Sequence, residues 1–132
     1  MEKTNSKEIR SMVTNDGNIE LSIKTSEIPT PLADEVIIKV EAAPINPSDL
    51  GLLLSFAADI SSISTTGSGD EAKTTIKIHP ALIGAMKPRL DQSMQVGNEG
   101  AGVVIDAGEN VKDLIGKTVG LAGGAMYSQY RC

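Results

Sequence analysis

Between Glu35 and Ala42 the side chains alternate, and Val36, Ile38 and Val40 fall on one face. A period of two belongs to an extended chain with one face buried, and a helix cannot turn it into a stripe. The same alternation returns at Ile19, Leu21 and Ile23, set between Glu20, Ser22 and Lys24. It returns again in Glu99–Ala107, where small and apolar groups surround Val103, Val104 and Ile105. Turn formers punctuate these segments: Asn15-Asp16-Gly17-Asn18, Pro29 and Pro31, and Gly108-Glu109-Asn110. Further short strands are expected at Ser11–Val13, Lys117–Leu121 and Met126–Cys132. Thirteen glycines against two Tyr and one Phe suit a turn-rich chain whose core rests on Val, Ile, Leu, Ala and Met. The expectation is one domain over residues 1–132, mainly β with short helices, built as a small barrel or folded sheet.

Two segments break the strand pattern toward helix. Ile45-Asn46-Pro47-Ser48-Asp49 leads into the apolar Leu50–Leu54, with Asn46 as N-cap, Pro47 at the first helical position and Asp49 three residues after the cap. That helix is expected to fade by about Phe56. Pro80–Lys87 reads as a short helix that Pro88 terminates. The stretch Ser61–Lys73 (SSISTTGSGDEAK) is poor in apolar groups and reads as an exposed, mobile loop, a solvated insertion or else a lid or a partner-contact arm. Beside it, Leu82, Ile83, Met86 and Leu90 either pack back on the strands or bury against another subunit, as in a homodimer.

Charge and cysteine content narrow the function classes. A formal net charge of −5 and three aromatic residues give neither a basic surface for phosphates nor stacking platforms, which argues against nucleic acid as partner. Cys132 is the one cysteine, so there is no intrachain disulfide and no cysteine-rich metal lobe. It reads as an ordinary free thiol. The polar N-terminus and the lack of any long apolar run point to a cytoplasmic chain with no membrane segment. His79, the one histidine, has no second imidazole or thiol near it in sequence and reads as a loop residue or the start of a helix.

The run Ile45-Asn46-Pro47-Ser48-Asp49, then Val96-Gly97-Asn98-Glu99-Gly100-Ala101-Gly102-Val103-Val104, resembles the medium-chain dehydrogenase/reductase superfamily, in particular its quinone oxidoreductases and 2-enoyl thioester reductases. The turn Ala107-Gly108-Glu109-Asn110-Val111, then Gly116-Lys117-Thr118-Val119, then Gly123-Gly124-Ala125-Met126-Tyr127-Ser128-Gln129-Tyr130 continue the resemblance in the expected order. It covers the chain apart from roughly residues 55–94, and about 57–95 is longer than the family usually has. The resemblance implies an N-terminal, GroES-like, partly open β-barrel that supplies the substrate side of the enzyme, followed in the family by a Rossmann domain absent from this sequence. It implies an NADPH- or NADH-dependent oxidoreductase acting on a small molecule, a quinone or an enone/enoyl substrate, with this domain inactive alone and binding no cofactor by itself. Asn46 is the implied contact to the nicotinamide or its ribose, Asp49 a shaper of the cleft's polar floor, and Glu99 a further cleft residue.

Three departures bear on chemistry. Where zinc-dependent relatives carry a Cys ahead of the residue aligned with Asp49 and a His before the one aligned with Glu99, this chain has Asn46-Pro47-Ser48 and Asn98. Thiolate and imidazole hold such a zinc, so a zinc-independent enzyme is implied. The second departure is the long stretch at 57–95. The third is a missing proton donor: enoyl reductases of this type use a Tyr shortly after the Asn-Pro-Ser-Asp motif, and here Leu-Leu-Leu-Ser-Phe stands there. Plain structural readings run alongside. Asn46 and Asp49 suffice as a helix cap, and Glu99 as a solvent-facing strand residue. Gly97, Gly100 and Gly102 run G-x-x-G-x-G before a strand, which is not the dinucleotide fingerprint and suits close backbone packing. The competing function is a stand-alone GroES-like interaction or assembly module.

Overall fold

The computed structural model describes residues 4–132. Its strands are β1 (Asn5–Val13), β2 (Asn18–Glu27), β3 (Val36–Ala42), β4 (Ser64–Thr66), β5 (Lys73–Lys77), β6 (Met94–Gln95), β7 (Glu99–Ala107), β8 (Thr118–Ala122) and β9 (Tyr130–Arg131). One α-helix, α1, spans Pro47–Leu53, and short 3₁₀ turns fill several connections. The fold is mainly β, in two antiparallel sheets ordered β4-β5-β2-β1-β6 and β8-β7-β3-β9. Neither order returns to its first strand, so neither sheet closes on itself.

The chain divides into two compact units. One comprises the N-terminal residues up to Glu8 with Thr25–Ile45 and Gly97–Cys132. Its core is Ile38, Val104 and Ala107, surrounded by Val36, Val111, Leu114, Val119 and Leu121. Most of these come from β3, β7 and β8, while Val111 and Leu114 come from the connection between β7 and β8. Ile37, on the opposite face of β3, is as deeply buried as Ile38, so this strand is not the half-buried one that alternation implies.

The second unit comprises Ile9–Lys24 and Asn46–Val96. Val13, Ile19, Ala57, Ile76, Ile78 and Met86 form its core, with Leu21, Leu54, Ala58 and Leu82 packed against them. Here the structure corrects the expected irregular loop at 61–73. Residues 64–66 and 73–77 pair as antiparallel strands, Ser64 opposite Thr75 and Thr66 opposite Lys73, and β5 pairs in turn with β2. Threonine hides such strands from a hydrophobicity reading, because its branched Cβ favours extended backbone while its hydroxyl lowers apparent hydrophobicity. The Thr65 and Thr74 hydroxyls meet across the pair at 2.8 Å, and Ile76 is fully buried against Ile19. The expected exposure does hold, since β4 is exposed throughout.

Two boundaries also move. The segment after His79 is a 3₁₀ helix, Pro80–Arg89, with Pro88 inside it rather than at its end. Proline blocks the α-helix through its lost N–H and its ring clash four residues back, constraints that weigh less on a run of tight turns. Leu82 and Met86 join the core, as one of the two readings has it, while Ile83 and Leu90 stay exposed. At the C-terminus the expected strand Met126–Cys132 shrinks to Tyr130–Arg131, because Ala125 takes a φ of 67° in a turn that carries Met126 into the interior.

Candidate functional site

The Asn-Pro-Ser-Asp corner folds as its sequence dictates. Asn46 has extended backbone (φ −90°, ψ 158°) and Pro47 opens the helix, its missing N–H costing nothing at that position. The Asn46 N–H donates to Asp49 Oδ2 at 2.7 Å, and the Asp49 N–H donates to the Asn46 carbonyl at 3.0 Å. Asp49 is 1% exposed. Its carboxylate is therefore committed at least in part to the cap, and burial keeps it from solvent. Asn46 itself is half-buried.

The other end of α1 is held by residues that sequence reasoning passed over. Leu54 N–H and Ser55 N–H both donate to the Leu50 carbonyl, and Ser55 adopts a φ of 62° as the helix unwinds. The Arg89 guanidinium donates to the Gly51 and Leu52 carbonyls, each at 3.2 Å, and to Ser11 Oγ at 3.3 Å. Ser11, fully buried on β1, donates to the Leu52 carbonyl at 2.6 Å. A cation over the last carbonyls of a helix is favourable on charge grounds. Arg89 Nε is nonetheless buried without a partner, and burial lowers the Arg89 pKa from its ordinary value. Nothing in local spacing marks Arg89 or Ser11, because the pair is 78 residues apart.

Glu99 lies in the other compact unit, as the first residue of β7. It is exposed and stands opposite Ala122 of β8. It borders a shallow depression of about 510 Å³ whose floor includes Ala42, Ala101 and Gly120, with Pro44 at its rim. The Tyr127 hydroxyl donates to the Pro44 carbonyl at 2.9 Å.

The glycines around Glu99 serve packing. A Cβ on Gly102 would lie 2.0 Å from the Lys39 carbonyl oxygen, so β7 approaches β3 more closely than any side chain permits. Gly97 has a φ of +96°, and a Cβ there would meet the Tyr127 backbone nitrogen at 2.7 Å. Close strand approach accounts for Gly102, and a positive φ with the nearby Tyr127 backbone accounts for Gly97.

His79 caps the 3₁₀ helix, its Nδ1 accepting from the Ala81 N–H at 3.3 Å. Cys132 is exposed, and partial burial followed by the nearby Glu35 carboxylate raises its thiol pKa. No helix among the described residues is long and apolar enough to cross a membrane. No protein-family model matches the chain, and none of the curated proteins matches it.

Proposed function

We propose that this chain is the GroES-like, substrate-side domain of a zinc-independent NAD(P)H-dependent oxidoreductase of the quinone or enone/enoyl reductase type. The ordered succession Asn46-Pro47-Ser48-Asp49, Gly97-Asn98-Glu99-Gly100 and Gly116-Lys117-Thr118-Val119 on a mainly β scaffold supports it. The observation that carries most weight is the fixing of Asn46. Its N–H and its carbonyl are both bonded to Asp49, so the backbone that bears the half-buried carboxamide is held by the cap. A preset donor of this kind is what a carbonyl oxygen gaining negative charge requires.

The residues present fit one end of a nicotinamide cofactor and not the other. The Asn46 carboxamide suits a ribose hydroxyl or the nicotinamide amide, whereas the glycine run Gly97–Gly102 is closely approached by other parts of the chain and offers no phosphate cradle. The cofactor, NADPH or NADH, supplies the hydride when bound. Asn46 then orients the acceptor and stabilises charge on its oxygen, while Asp49 positions Asn46.

Two measurements test the reading. The 132-residue chain, titrated with NADPH in a calorimeter, is expected to show no binding, and micromolar affinity overturns the assignment of the cofactor site to a separate domain. Joined to a Rossmann domain, the protein is expected to consume NADPH with a quinone or an enone, insensitive to chelators. Asn46→Ala should then lower kcat by about a hundredfold. An unchanged kcat in a folded variant refutes the role of Asn46.

A further inference from the structure

We infer that the free edge of the five-stranded sheet, at β4, is a docking strand for an extended, cationic segment of another polypeptide, which adds to the sheet beside Thr65. The inference lies outside the hydride-transfer reading and does not depend on it.

Hydrogen-bond direction shows which way the edge faces. Along an antiparallel pair, residues alternate between those that exchange main-chain bonds with the partner and those whose N–H and C=O point away from it. Just past β5, the Ile78 N–H donates to the Gly17 carbonyl, on the β2 side, at 2.9 Å. Lys77 turns the other way. Its N–H donates to Ser62 Oγ and its carbonyl accepts from the Asp59 N–H, both at 2.8 Å. Two and four residues back, Thr75 and Lys73 therefore face β4 and bond to their register partners Ser64 and Thr66. Thr65 and Thr74 then form the non-bonded pair between them. Their hydroxyls meet at 2.8 Å, as the closer spacing of such a pair allows. The Thr65 N–H and carbonyl accordingly point outward from the last strand of the sheet.

An open edge is ordinarily guarded by Lys, Pro or a bulge. β4 is Ser-Thr-Thr, runs in unbroken register with β5 and is exposed throughout. Ile60 and Ile63, which lead into it, are 55% and 47% exposed and give an incoming strand apolar groups to lie against. Charge names the occupant. From Phe56 to Ala72 the sequence holds Asp59, Asp70 and Glu71 and no Lys, Arg or His. The Ser61 hydroxyl and N–H donate to Asp59 and lower its pKa, so that carboxylate keeps its charge. Of the β5 lysines, Lys73 lies 3.5 Å from Glu20, and Lys77 stands one strand in from the edge. A second copy of this chain would set like charges against each other, whereas a segment bearing Lys or Arg is attracted. Main-chain bonds to Thr65 supply attachment, and the carboxylates supply selectivity.

The probe is a capped peptide, Lys-Thr-Val-Thr-Lys, with Glu-Thr-Val-Thr-Glu as its counterpart, each titrated into the isotope-labelled chain and followed by NMR. Saturable shifts centred on the Thr65 amide are expected, with a Kd below about 1 mM and at least about tenfold weaker binding of the acidic peptide. Without peptide, the Thr65 amide is expected to exchange faster than those of Ser64 and Thr66, and to slow on saturation. Thr65→Pro removes the outward donor while sparing the bonds to β5, and should abolish binding. Asp59→Asn combined with Glu71→Gln should weaken the basic peptide at least about fivefold. The exchange and the two-peptide comparison use the parent chain, so they decide the matter even if Thr65→Pro fails to fold. No saturation by about 1 mM, equal affinity for the acidic peptide, or binding that survives in a folded Thr65→Pro variant overturns the proposal. So does a Thr65 amide as protected as its neighbours, or protection that grows with protein concentration alone, which marks a second copy as the occupant.

Discussion

Substituting alanine at Gly102 and at Gly120 should give opposite results, although the two glycines lie in neighbouring strands. At Gly102 the new methyl would sit 2.0 Å from the Lys39 carbonyl oxygen, 2.8 Å from its carbon and 2.9 Å from an Ile38 methyl. Two of those atoms are backbone and cannot rotate away. To reach ordinary contact, β3 and β7 must separate by well over an ångström. That stretches the pairing at Ile38↔Val104, Lys39↔Val103 and Val40↔Gly102 and pulls Ile38 from Val104, the centre of this unit's core. Two or three weakened hydrogen bonds at about 1 kcal/mol each, with overpacking of about 1–3 kcal/mol, sum to about 3 kcal/mol or more. That is a large part of a domain's stability and should lower the midpoint by roughly 10 °C or more. At Gly120 nothing lies within 4 Å, and alanine should be neutral or gain up to about 1 kcal/mol through reduced freedom of the unfolded chain. Tyr127 and Tyr130 both belong to this unit, so tyrosine fluorescence during a thermal melt reports on it directly. A Gly102→Ala protein that melts with the parent would refute the close-approach reasoning.

Asp49→Ala should cost about 2 kcal/mol in urea unfolding by losing the acceptor of the Asn46 N–H, while Asp49→Asn, whose amide oxygen still accepts, should cost less than half of that. Thr14 lowers the Asp16 pKa by donating its hydroxyl to the carboxylate. An aspartate lowered on folding adds stability above its unfolded pKa, about 3.9, and loses it as pH falls through the folded value. Thr14→Val should therefore raise the Asp16 midpoint in an NMR titration and soften the loss of stability below about pH 4; an unmoved midpoint would count against the hydroxyl's role. Arg89→Met should destabilise the protein in urea and release the end of α1, read as faster amide exchange at Leu54 and Ser55; exchange equal to the parent's would mean that the guanidinium does not hold the helix.

Legibility followed the chemistry of the side chains. Val103, Val104 and Ile105 announced β7 because β-branched groups favour extended backbone, and the bounds expected for it are those observed. Asn46, Pro47 and Asp49 announced α1 because a helix start has fixed local requirements. β4 and β5 were missed because Thr65, Thr66, Thr74 and Thr75 form strands without looking apolar. Arg89 was missed because the carbonyls it caps are distant in sequence, and a basic residue alone does not say where it docks. The neighbours of Glu99 were equally hidden: Ala101, Gly120 and Ala122 come together only once register sets β7 and β8 side by side.

The interleaving of the two units has a consequence for biosynthesis. Everything in the unit of Ile9–Lys24 and Asn46–Val96 has been made once residue 96 leaves the ribosome. β3, by contrast, emerges early and has only β7 and β9 as partners. It must wait some sixty residues with Val36, Ile37 and Ile38 uncovered, at translation rates of about 5–20 residues per second. For those seconds the nascent chain displays a sticky, unsatisfied ribbon, and this is the interval in which a holdase would find something to grip.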